Sequence, residues 1–174
     1  MVNVSVIGAS GYGGGEVVRL LLGHPEVRLR HLVAETRAGE PFAEVFPNVR
    51  GFIDWRTETL DPEAVAADSD VVFLALPNGV AMSLVPRLRE GVKVVDLGAD
   101  FRFRSAQAYQ RWYGMAHSAP VLLEEAAYGL PEQRRAEIRR ARIVGNPGCY
   151  PTAALLAMPE ECGLDLQLVR PPGR

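Results

Sequence analysis

The chain has 174 residues, of which 48% are hydrophobic and 23% charged, and its formal net charge is −2 at pH 7. These values are typical of a soluble globular domain and exclude the strong basic surplus that nucleic acids or anionic membranes attract. No apolar run approaches the ~20 residues of a membrane span, and the N-terminus lacks a signal-peptide pattern. We therefore expect a cytoplasmic protein with free thiols at Cys149 and Cys162, which show no metal-ligand spacing.

Apolar runs that alternate with helical spacings predict an α/β protein. In chain order, we expect a strand at 2–7, a helix at 13–22, a strand at 27–34, a helix opened by Asp61, a strand at 70–76, a helix at 80–89, a strand at 92–97, helices at 105–113 and 132–140, and a strand at 142–144. Segment 35–56, punctuated by glycine and proline, stays unassigned. Because the strands are almost continuously apolar, they indicate a doubly wound, Rossmann-like and mostly parallel sheet with helices on both faces.

A glycine-rich loop joins the first predicted strand to the first predicted helix. Gly8, Gly11 and Gly14 form a G-x-x-G-x-x-G pattern at this junction. Glycine lets the backbone turn tightly and approach a pyrophosphate, while the free N–H groups and dipole of the following helix bind its charge. The junction therefore predicts a dinucleotide cradle, with a tight turn that binds nothing as the alternative. The residues of the predicted cradle are Gly8, Ser10, Gly11, Tyr12, Gly13 and Gly14.

The end of the second strand carries conflicting signals about the nucleotide. Glu35 follows Gly14 by 21 residues (35 − 14), a spacing that suits an acid bound to the ribose 2′-hydroxyl of NAD. Thr36 and Arg37, immediately after it, could instead hold the 2′-phosphate of NADP. Ordinary loop charge is a further alternative.

A second turn, Pro77-Asn78-Gly79, ends the strand predicted at 70–76. In an open parallel sheet, the cofactor crevice lies beyond the carboxyl ends of the strands. We therefore predict that Pro77, Asn78 and Gly79 line the cofactor site.

Cys149 is the candidate catalytic nucleophile. It follows Gly145-Asn146-Pro147-Gly148 and precedes Pro151, so a strand end, a turn and a helix start meet at the thiol. A helix N-terminus stabilises a thiolate, which is the attacking species, and nearby backbone N–H groups can stabilise an oxyanion. A small buried core residue is the alternative, and it is the role expected of Cys162.

A base for this nucleophile is not evident from the sequence, although nucleophilic cysteines usually need one. His24 stands at a helix end before a proline and His31 stands within a strand, where structural or surface roles are usual. His117 lies in a loop and receives no role. None of these histidines is a convincing partner for Cys149.

The motifs together resemble those of the N-acetyl-γ-glutamyl-phosphate reductase family, within the wider aspartate-semialdehyde-dehydrogenase-like group. The Tyr-Gly-Leu-Pro-Glu and cysteine segments are quite specific, whereas the glycine loop is shared by many nucleotide binders. The resemblance covers residues 2–157, and the segments that carry it are 8–14, Ala75-Leu76-Pro77-Asn78-Gly79, Asp96-Leu97-Gly98-Ala99-Asp100-Phe101-Arg102, Tyr128-Gly129-Leu130-Pro131-Glu132 and 145–152.

The resemblance implies an NADPH-dependent oxidoreductase of arginine biosynthesis, with NAD the less favoured cofactor. The cysteine that matches Cys149 displaces phosphate from N-acetylglutamyl 5-phosphate, and hydride then reduces the thioester to the semialdehyde. The residues that bind the substrate carboxylate are not identified. Arg102 and Arg104 suit that role and a surface salt bridge equally well.

The resemblance also implies a second domain, which supplies a catalytic histidine, substrate contacts and the subunit interface of a homo-oligomer. We divide this chain into a nucleotide-binding domain, residues 1–148, and the cysteine helix with a divergent start of the second domain, residues 149–174. Because the sequence departs from the family after Ala157, we expect a truncated or frame-shifted version of a longer chain. Cofactor binding with little or no turnover is then expected.

Two other interpretations stay open. The related reductase of lysine biosynthesis, which acts on a carrier-protein-linked aminoadipyl phosphate, would share every motif named above, whereas aspartate-semialdehyde dehydrogenase itself matches them less well. A non-catalytic nucleotide-binding module is the alternative from a different functional class. The lack of a catalytic histidine favours it, whereas the intact surroundings of Cys149 argue against it.

Overall fold

In the computed structural model, which describes residues 1–88 and 91–157, six strands form one parallel sheet in the order β2-β1-β3-β4-β6-β5. This confirms the predicted Rossmann-like, parallel architecture. The predicted strands are all found, with ends that differ slightly. Their bounds are β1 (Val2–Ile7), β2 (Val27–Val33), β3 (Val71–Leu74), β4 (Lys93–Asp96), β5 (Ala126–Tyr128) and β6 (Ile143–Gly145).

Helices connect the strands on both faces of the sheet. Over the described ranges, none of these helices is both long enough and apolar enough to cross a membrane. Their bounds are α1 (Tyr12–Leu22), α2 (Phe42–Val45), α3 (Pro62–Asp68), α4 (Ala81–Leu84), α5 (Ala106–Tyr113), α6 (Pro131–Arg140) and α7 (Cys149–Ala157).

Alternating side chains along the strands bury two separate cores. Ile7 and Leu74 pack with Val65 of α3 in one cluster, while Val6 packs with Val18 of α1 in the other. Successive residues of a strand point to opposite faces, so a strand covered on both faces must be apolar at every position. The continuous apolar runs of the sequence therefore have a direct structural cause.

Three parts of the chain depart from the sequence prediction or were unassigned by it. The helix predicted at 80–89 is too long, since α4 ends at Leu84 because Pro86 has no N–H to donate to the preceding turn. Strand β5 is absent from the prediction because its residues include no β-branched side chain. The unassigned segment 35–56 contains α2 and two short 3-10 turns.

The strand order reverses beside β1. The chain passes from β1 to β2 on one side of it and later to β3 on the other. In open parallel sheets, ligands bind in the crevice that such a reversal leaves beyond the carboxyl ends of the strands. The glycine loop follows β1 and the Pro77-Asn78-Gly79 turn follows β3, so both predicted cofactor segments border this crevice.

Helix α3 begins at a side-chain cap that the sequence predicts. The Asp61 carboxylate accepts hydrogen bonds from the N–H groups of Glu63 and Ala64, both at 3.1 Å. We expect Asp61→Ala to lower the free energy of unfolding by about 1 kcal/mol, because these N–H groups lose their acceptor. Asp61→Asn keeps an acceptor oxygen and should stay close to wild type. Urea denaturation measures both effects, and equal losses in the two variants would show that the cap is not the cause.

Candidate functional site

The glycine loop packs tightly against the ends of two strands. Gly8 has a φ of +87°, and a Cβ there would overlap the carbonyl oxygen of Ala75, just after β3. A Cβ at Gly14 would overlap the carbonyl oxygen of Gly8. The N–H groups of Gly8 and Ala9 both donate to the Val33 carbonyl of β2 at 2.9 Å. Only glycine fits these two points of close approach.

Backbone donors of α1 face the same loop. Helix α1 begins at Tyr12 after Gly11, and in the part of the chain that the structure describes no side chain caps it. The first N–H groups of a helix lack intrahelical partners and stand at the positive end of its dipole. Tyr12 is 95% exposed, Gly13 is exposed and Ser10 is half-buried. The loop therefore fits a nucleotide pyrophosphate, because its glycines leave room and its N–H groups can bind the charge.

The residues after β2 lie on the surface beside this loop. Glu35, Thr36 and Arg37 form a 3-10 turn, and all three are exposed. The Glu35 carboxylate accepts a hydrogen bond from the Leu60 N–H at 2.8 Å, which ties Glu35 to a neighbouring segment. The Arg37 guanidinium lies 3.6 Å from the Glu40 carboxylate. That pair is exposed and weak, so a bound phosphate can compete for the guanidinium.

The turn after β3 is fixed by the loop after β4. Gly79 has a φ of +90°, and its N–H donates to both carboxylate oxygens of Asp100, at 2.8 and 3.0 Å. The side-chain oxygen of Asn78 accepts a hydrogen bond from the Ala99 N–H at 3.2 Å. Pro77 and Asn78 are exposed, so their outer surfaces are available to a ligand in the crevice.

Cys149 is exposed at the start of α7, as the sequence predicts. The Gly148 carbonyl accepts hydrogen bonds from the N–H and the hydroxyl of Thr152, at 3.0 and 2.9 Å, and these close the first turn. Pro151 lies in this turn, where its missing N–H costs no hydrogen bond. The thiol thus stands in solvent at the positive end of a helix. Cys162 lies outside the described residues.

Arg102 joins the cysteine turn to the loop after β4. Its Nε donates to the Asn146 carbonyl at 2.7 Å, and its Nη2 donates to a second backbone carbonyl at 3.0 Å. Arg104 is exposed and pairs with Glu137 at 3.3 Å. The structure therefore places Arg104 in the surface salt bridge that the sequence offered as an alternative, whereas Arg102 supports the turn that carries Cys149.

The described histidines have partners elsewhere. His117 is buried, with its Nε2 3.0 Å from the Asp100 carbonyl and its Nδ1 3.2 Å from a backbone N–H. These partners require a proton on Nε2 alone, and burial lowers the pKa of His117. His24 lies in the turn before β2 and His31 lies within β2, a strand that is four strand intervals, or about 19 Å, from β6. Across 1–88 and 91–157, no group of three or more ligating side chains is arranged to hold a metal ion.

Reasoning from the sequence misses the roles of two buried carboxylates, Asp96 and Asp100. The Oδ1 atom of Asp96 accepts a hydrogen bond from the Gly98 N–H at 2.9 Å, but Oδ2 has no hydrogen-bond partner among the described residues. Burial raises the pKa of Asp96 to about 6, an effect that the Gly98 hydrogen bond opposes and the Asp100 charge increases. The available signal was an aspartate at the end of an apolar strand, in Lys93-Val94-Val95-Asp96.

Close contacts connect the glycine loop to the cysteine turn along one edge of the sheet. Gly8 touches the end of β3, residues 99–100 bind the turn after β3, and the Phe101 carbonyl packs against Gly145 of β6. Because the strands are parallel, both helix starts lie at this edge. β1 and β6 are three strand intervals apart, or about 14 Å. An extended dinucleotide can span this distance between the cradle and the thiol.

Comparison with known proteins identifies relatives of this chain. The family model described as "Semialdehyde dehydrogenase, NAD binding domain" matches residues 3–141. Proteins named N-acetyl-gamma-glutamyl-phosphate reductase from Heliobacterium modesticaldum and Methanopyrus kandleri are 48% and 51% identical over 167 and 160 residues. These matches cover 95% and 90% of this chain but 48% and 47% of the relatives, so the chain spans about half their length. The resemblance predicted from the motifs is confirmed.

Solved structures share the fold at low sequence identity. An aspartate semialdehyde dehydrogenase from Candida albicans, solved with NADP, has a TM-score of 0.57 and 20% identity, covering 87% of this chain and 44% of that one. The same enzyme from Francisella tularensis has a TM-score of 0.51 and 10% identity, covering 83% of this chain and 36% of that one. These likenesses support the fold of the nucleotide-binding sheet.

The buried carboxyl of Asp96 makes stability depend on pH. Its pKa of about 6 in the folded protein exceeds the ordinary value of 3.8, so the folded state binds this proton more tightly than the unfolded state does. Stability from this group is therefore lost as pH rises between these values, and the ionised carboxyl costs about 3 kcal/mol above them. In urea denaturation, the free energy of unfolding of Asp96→Asn relative to wild type should rise by about 3 kcal/mol between pH 4 and pH 7. A difference that does not change with pH would contradict the assignment.

Proposed function

The chain belongs to the semialdehyde dehydrogenase family, and from this membership we propose that it carries the nucleotide site and the nucleophile of an acyl-phosphate reductase. The proposed reaction is the NADPH-dependent reduction of N-acetyl-L-glutamyl 5-phosphate to N-acetyl-L-glutamate 5-semialdehyde, a step of arginine biosynthesis. The observation that carries the proposal is an exposed thiol at a helix start on the same sheet edge as a dinucleotide cradle. The names of relatives 48% and 51% identical to this chain support the choice of substrate.

Three segments are proposed to hold the nucleotide. The glycine loop would bind the pyrophosphate through the N–H groups of α1. Thr36 and Arg37 would bind the 2′-phosphate of NADPH, a choice supported by the hydrogen bond that ties Glu35 to Leu60. The turn after β3 would line the nicotinamide side of the crevice. The proposed contacts are Gly8, Ser10, Gly11, Tyr12, Gly13, Gly14, Thr36, Arg37, Pro77, Asn78 and Gly79.

Cys149 performs the covalent chemistry in this proposal. Its thiolate attacks the acyl carbon, an S–C bond forms, and the bond from that carbon to the phosphate oxygen breaks as phosphate leaves with the electron pair. The N–H groups at the start of α7 are the nearby donors for the developing oxyanion. When bound, the nicotinamide nucleotide supplies the hydride that reduces the acyl carbon. Release of the semialdehyde breaks the S–C bond and returns the electron pair to the Cys149 sulfur.

The alternatives differ in what supports them. An aminoadipyl phosphate of lysine biosynthesis would suit the same motifs, but the names of the relatives favour the acetylglutamyl substrate. A non-catalytic nucleotide-binding module would not need an exposed thiol at a helix N-terminus. A free thiol also suits the reducing cytoplasm, where we place the proposed reaction.

We further propose that residues 1–148 form the nucleotide-binding domain and residues 149–174 the cysteine helix and the start of a second domain. Strand β6 completes the sheet just before this boundary, and the segment 158–174 lies outside the described residues. Helix α7 is apolar, yet Tyr150 is 87% and Leu156 50% exposed. An exposed apolar helix supports packing against further polypeptide, including a second copy in a homo-oligomer.

A thioester at Cys149 is the direct test of the proposed chemistry. We expect N-acetylglutamyl 5-phosphate to acylate Cys149 with stoichiometric release of phosphate, because the thiol is exposed at the positive end of α7. Neutral hydroxylamine should remove the adduct. Intact-protein and peptide mass spectrometry would locate it.

The two cysteines give this experiment a matched control. Cys149→Ser should yield no hydroxylamine-labile adduct, whereas Cys162→Ser should react like wild type. Labelling at Cys162 instead would contradict the assignment of the nucleophile. Binding of NADPH without any acylation would favour the non-catalytic module, and faster acylation by an aminoadipyl phosphate would favour the lysine pathway.

The choice between NADPH and NADH is tested at Arg37. We expect NADPH to bind more tightly than NADH, and Arg37→Gln to weaken NADPH binding about tenfold while NADH is unaffected, because only the 2′-phosphate would contact the guanidinium. Nucleotide fluorescence titration measures both affinities. Arg28→Gln makes the same charge change near the opposite end of β2 and should leave both unchanged. Equal affinity of wild type for the two nucleotides would refute the proposed 2′-phosphate site.

A further inference from the structure

Asp100 is a fully buried carboxylate whose hydrogen bonds reach three separate partners. The Gly79 N–H donates to both of its oxygens, and the Met82 N–H donates to Oδ2 at 3.0 Å. The Tyr109 hydroxyl donates to Oδ1 at 2.7 Å. Tyr109 is buried in the core cluster that contains Ile7 and Leu74. Tyr109 belongs to α5, the helix that follows the loop containing Asp100. The Asp100 carboxylate therefore links the turn before α4 to α5.

The residues beside Asp100 contact two turns at the same edge of the sheet, the turn after β3 and the turn before Cys149. On one side, the Ala99 N–H binds the Asn78 side chain at 3.2 Å. On the other side, the carbonyl of Phe101 packs so closely on Gly145 that no Cβ fits there. Arg102 then donates to the Asn146 carbonyl at 2.7 Å. We call residues 99–102 the brace, because this segment contacts the turn after β3 and the turn before Cys149.

We propose that Asp100 is a positioning residue for the cofactor, and that the brace sets the separation between the 77–79 turn and the cysteine turn. This inference rests on the proposed function, since it concerns the same crevice. Asp100 fixes the cofactor side of the brace through the Gly79 and Met82 N–H groups. Arg102 fixes the cysteine side through Asn146. The two sides use different side chains, so they can be disturbed separately.

Asparagine at position 100 is the sharpest change, because it keeps the size of the side chain and removes one acceptor. The carboxylate accepts at both oxygens, whereas the amide would turn an NH₂ group toward Gly79, Met82 or Tyr109. With the NH₂ group at the Oδ2 position, the Met82 N–H loses its acceptor; at the Oδ1 position, Gly79 keeps only its 3.0 Å bond and the Tyr109 hydroxyl must turn to accept. In either orientation fewer hydrogen bonds hold the turn after β3, which loosens. We expect Asp100→Asn to bind NADPH about tenfold more weakly, as the loss of one hydrogen bond to a charged group predicts.

The experiment compares NADPH affinity with the reactivity of Cys149 in the same full chain. Fluorescence titration gives the affinity, and the rate of alkylation by iodoacetamide, followed at Cys149 by mass spectrometry, reports on the cysteine turn. Asp100→Asn should keep the wild-type alkylation rate within about twofold, because the Arg102 hydrogen bond to Asn146 is intact. Tyr109→Phe removes only the hydroxyl donor and should weaken NADPH binding two- to threefold, roughly in proportion to a weaker hold on Asp100. If Asp100→Asn does not fold, NADPH binding by Tyr109→Phe tests the proposal in its place.

Val65→Ala provides a control for general destabilisation. Val65 is buried in α3, belongs to the same core cluster as Tyr109, and is part of neither turn of the crevice. It should lower the melting temperature without changing NADPH affinity. Weakened binding in Val65→Ala equal to that in Asp100→Asn would overturn the proposal, because Asp100 would then act only on stability. Wild-type affinity in Asp100→Asn would overturn it as well. Failure of wild type itself to bind NADPH would instead refute the proposed function, and this inference with it.

Discussion

The parallel pairing of β1 with β2 on one side and β3 on the other is the constraint on which the site depends. It forces the chain to leave β1 in one direction and to return on its other side. The loops after β1 and β3 then diverge to opposite faces, and a crevice opens between them. Parallel pairing continues through β4 to β6, so the turn that carries Cys149 opens on the same edge. The glycine loop after β1 and the thiol therefore lie at one edge of the sheet as a consequence of topology.

Close backbone packing turns this shared edge into a defined surface. Gly8 lies against Ala75, and Gly145 lies against Phe101, with no room for a Cβ at either glycine. Each contact joins a strand end to a loop from a neighbouring strand. Such contacts involve backbone atoms, which move less freely than flexible side chains, so the spacing along the edge is fixed by the fold. The relative position of the cradle and the cysteine turn is therefore a property of the sheet and of the segment between them.

The sequence predicts those parts of the site that local patterns encode. A glycine loop between a strand and a helix, or a cysteine after Gly148 and before a proline, signals its surroundings within a few residues. The hydrogen bond from the Gly79 N–H to the Asp100 carboxylate joins residues that are 21 positions apart in the sequence. No local sequence pattern predicts it. Strand β5 depends in the same way on pairing with β6, since two of its three residues are alanines, which have little strand preference. What the sequence leaves open is the tertiary pairing of segments whose local preferences are weak.

Asp96 and Asp100 are two buried carboxyl groups at this edge of the sheet that differ in their hydrogen bonding. Both carboxyls are fully buried, yet Asp100 is bound by Gly79, Met82 and Tyr109, whereas Oδ2 of Asp96 has no hydrogen-bond partner among the described residues. Burial favours the neutral form of a carboxyl group, and at Asp96 this effect outweighs the backbone hydrogen bond from Gly98 and the charge of Arg102, so the pKa of Asp96 is raised. Protonation of Asp96 also removes its repulsion with Asp100. The edge thus keeps one buried carboxyl fully bonded, and it places the other where uptake of a proton relieves the cost of burial.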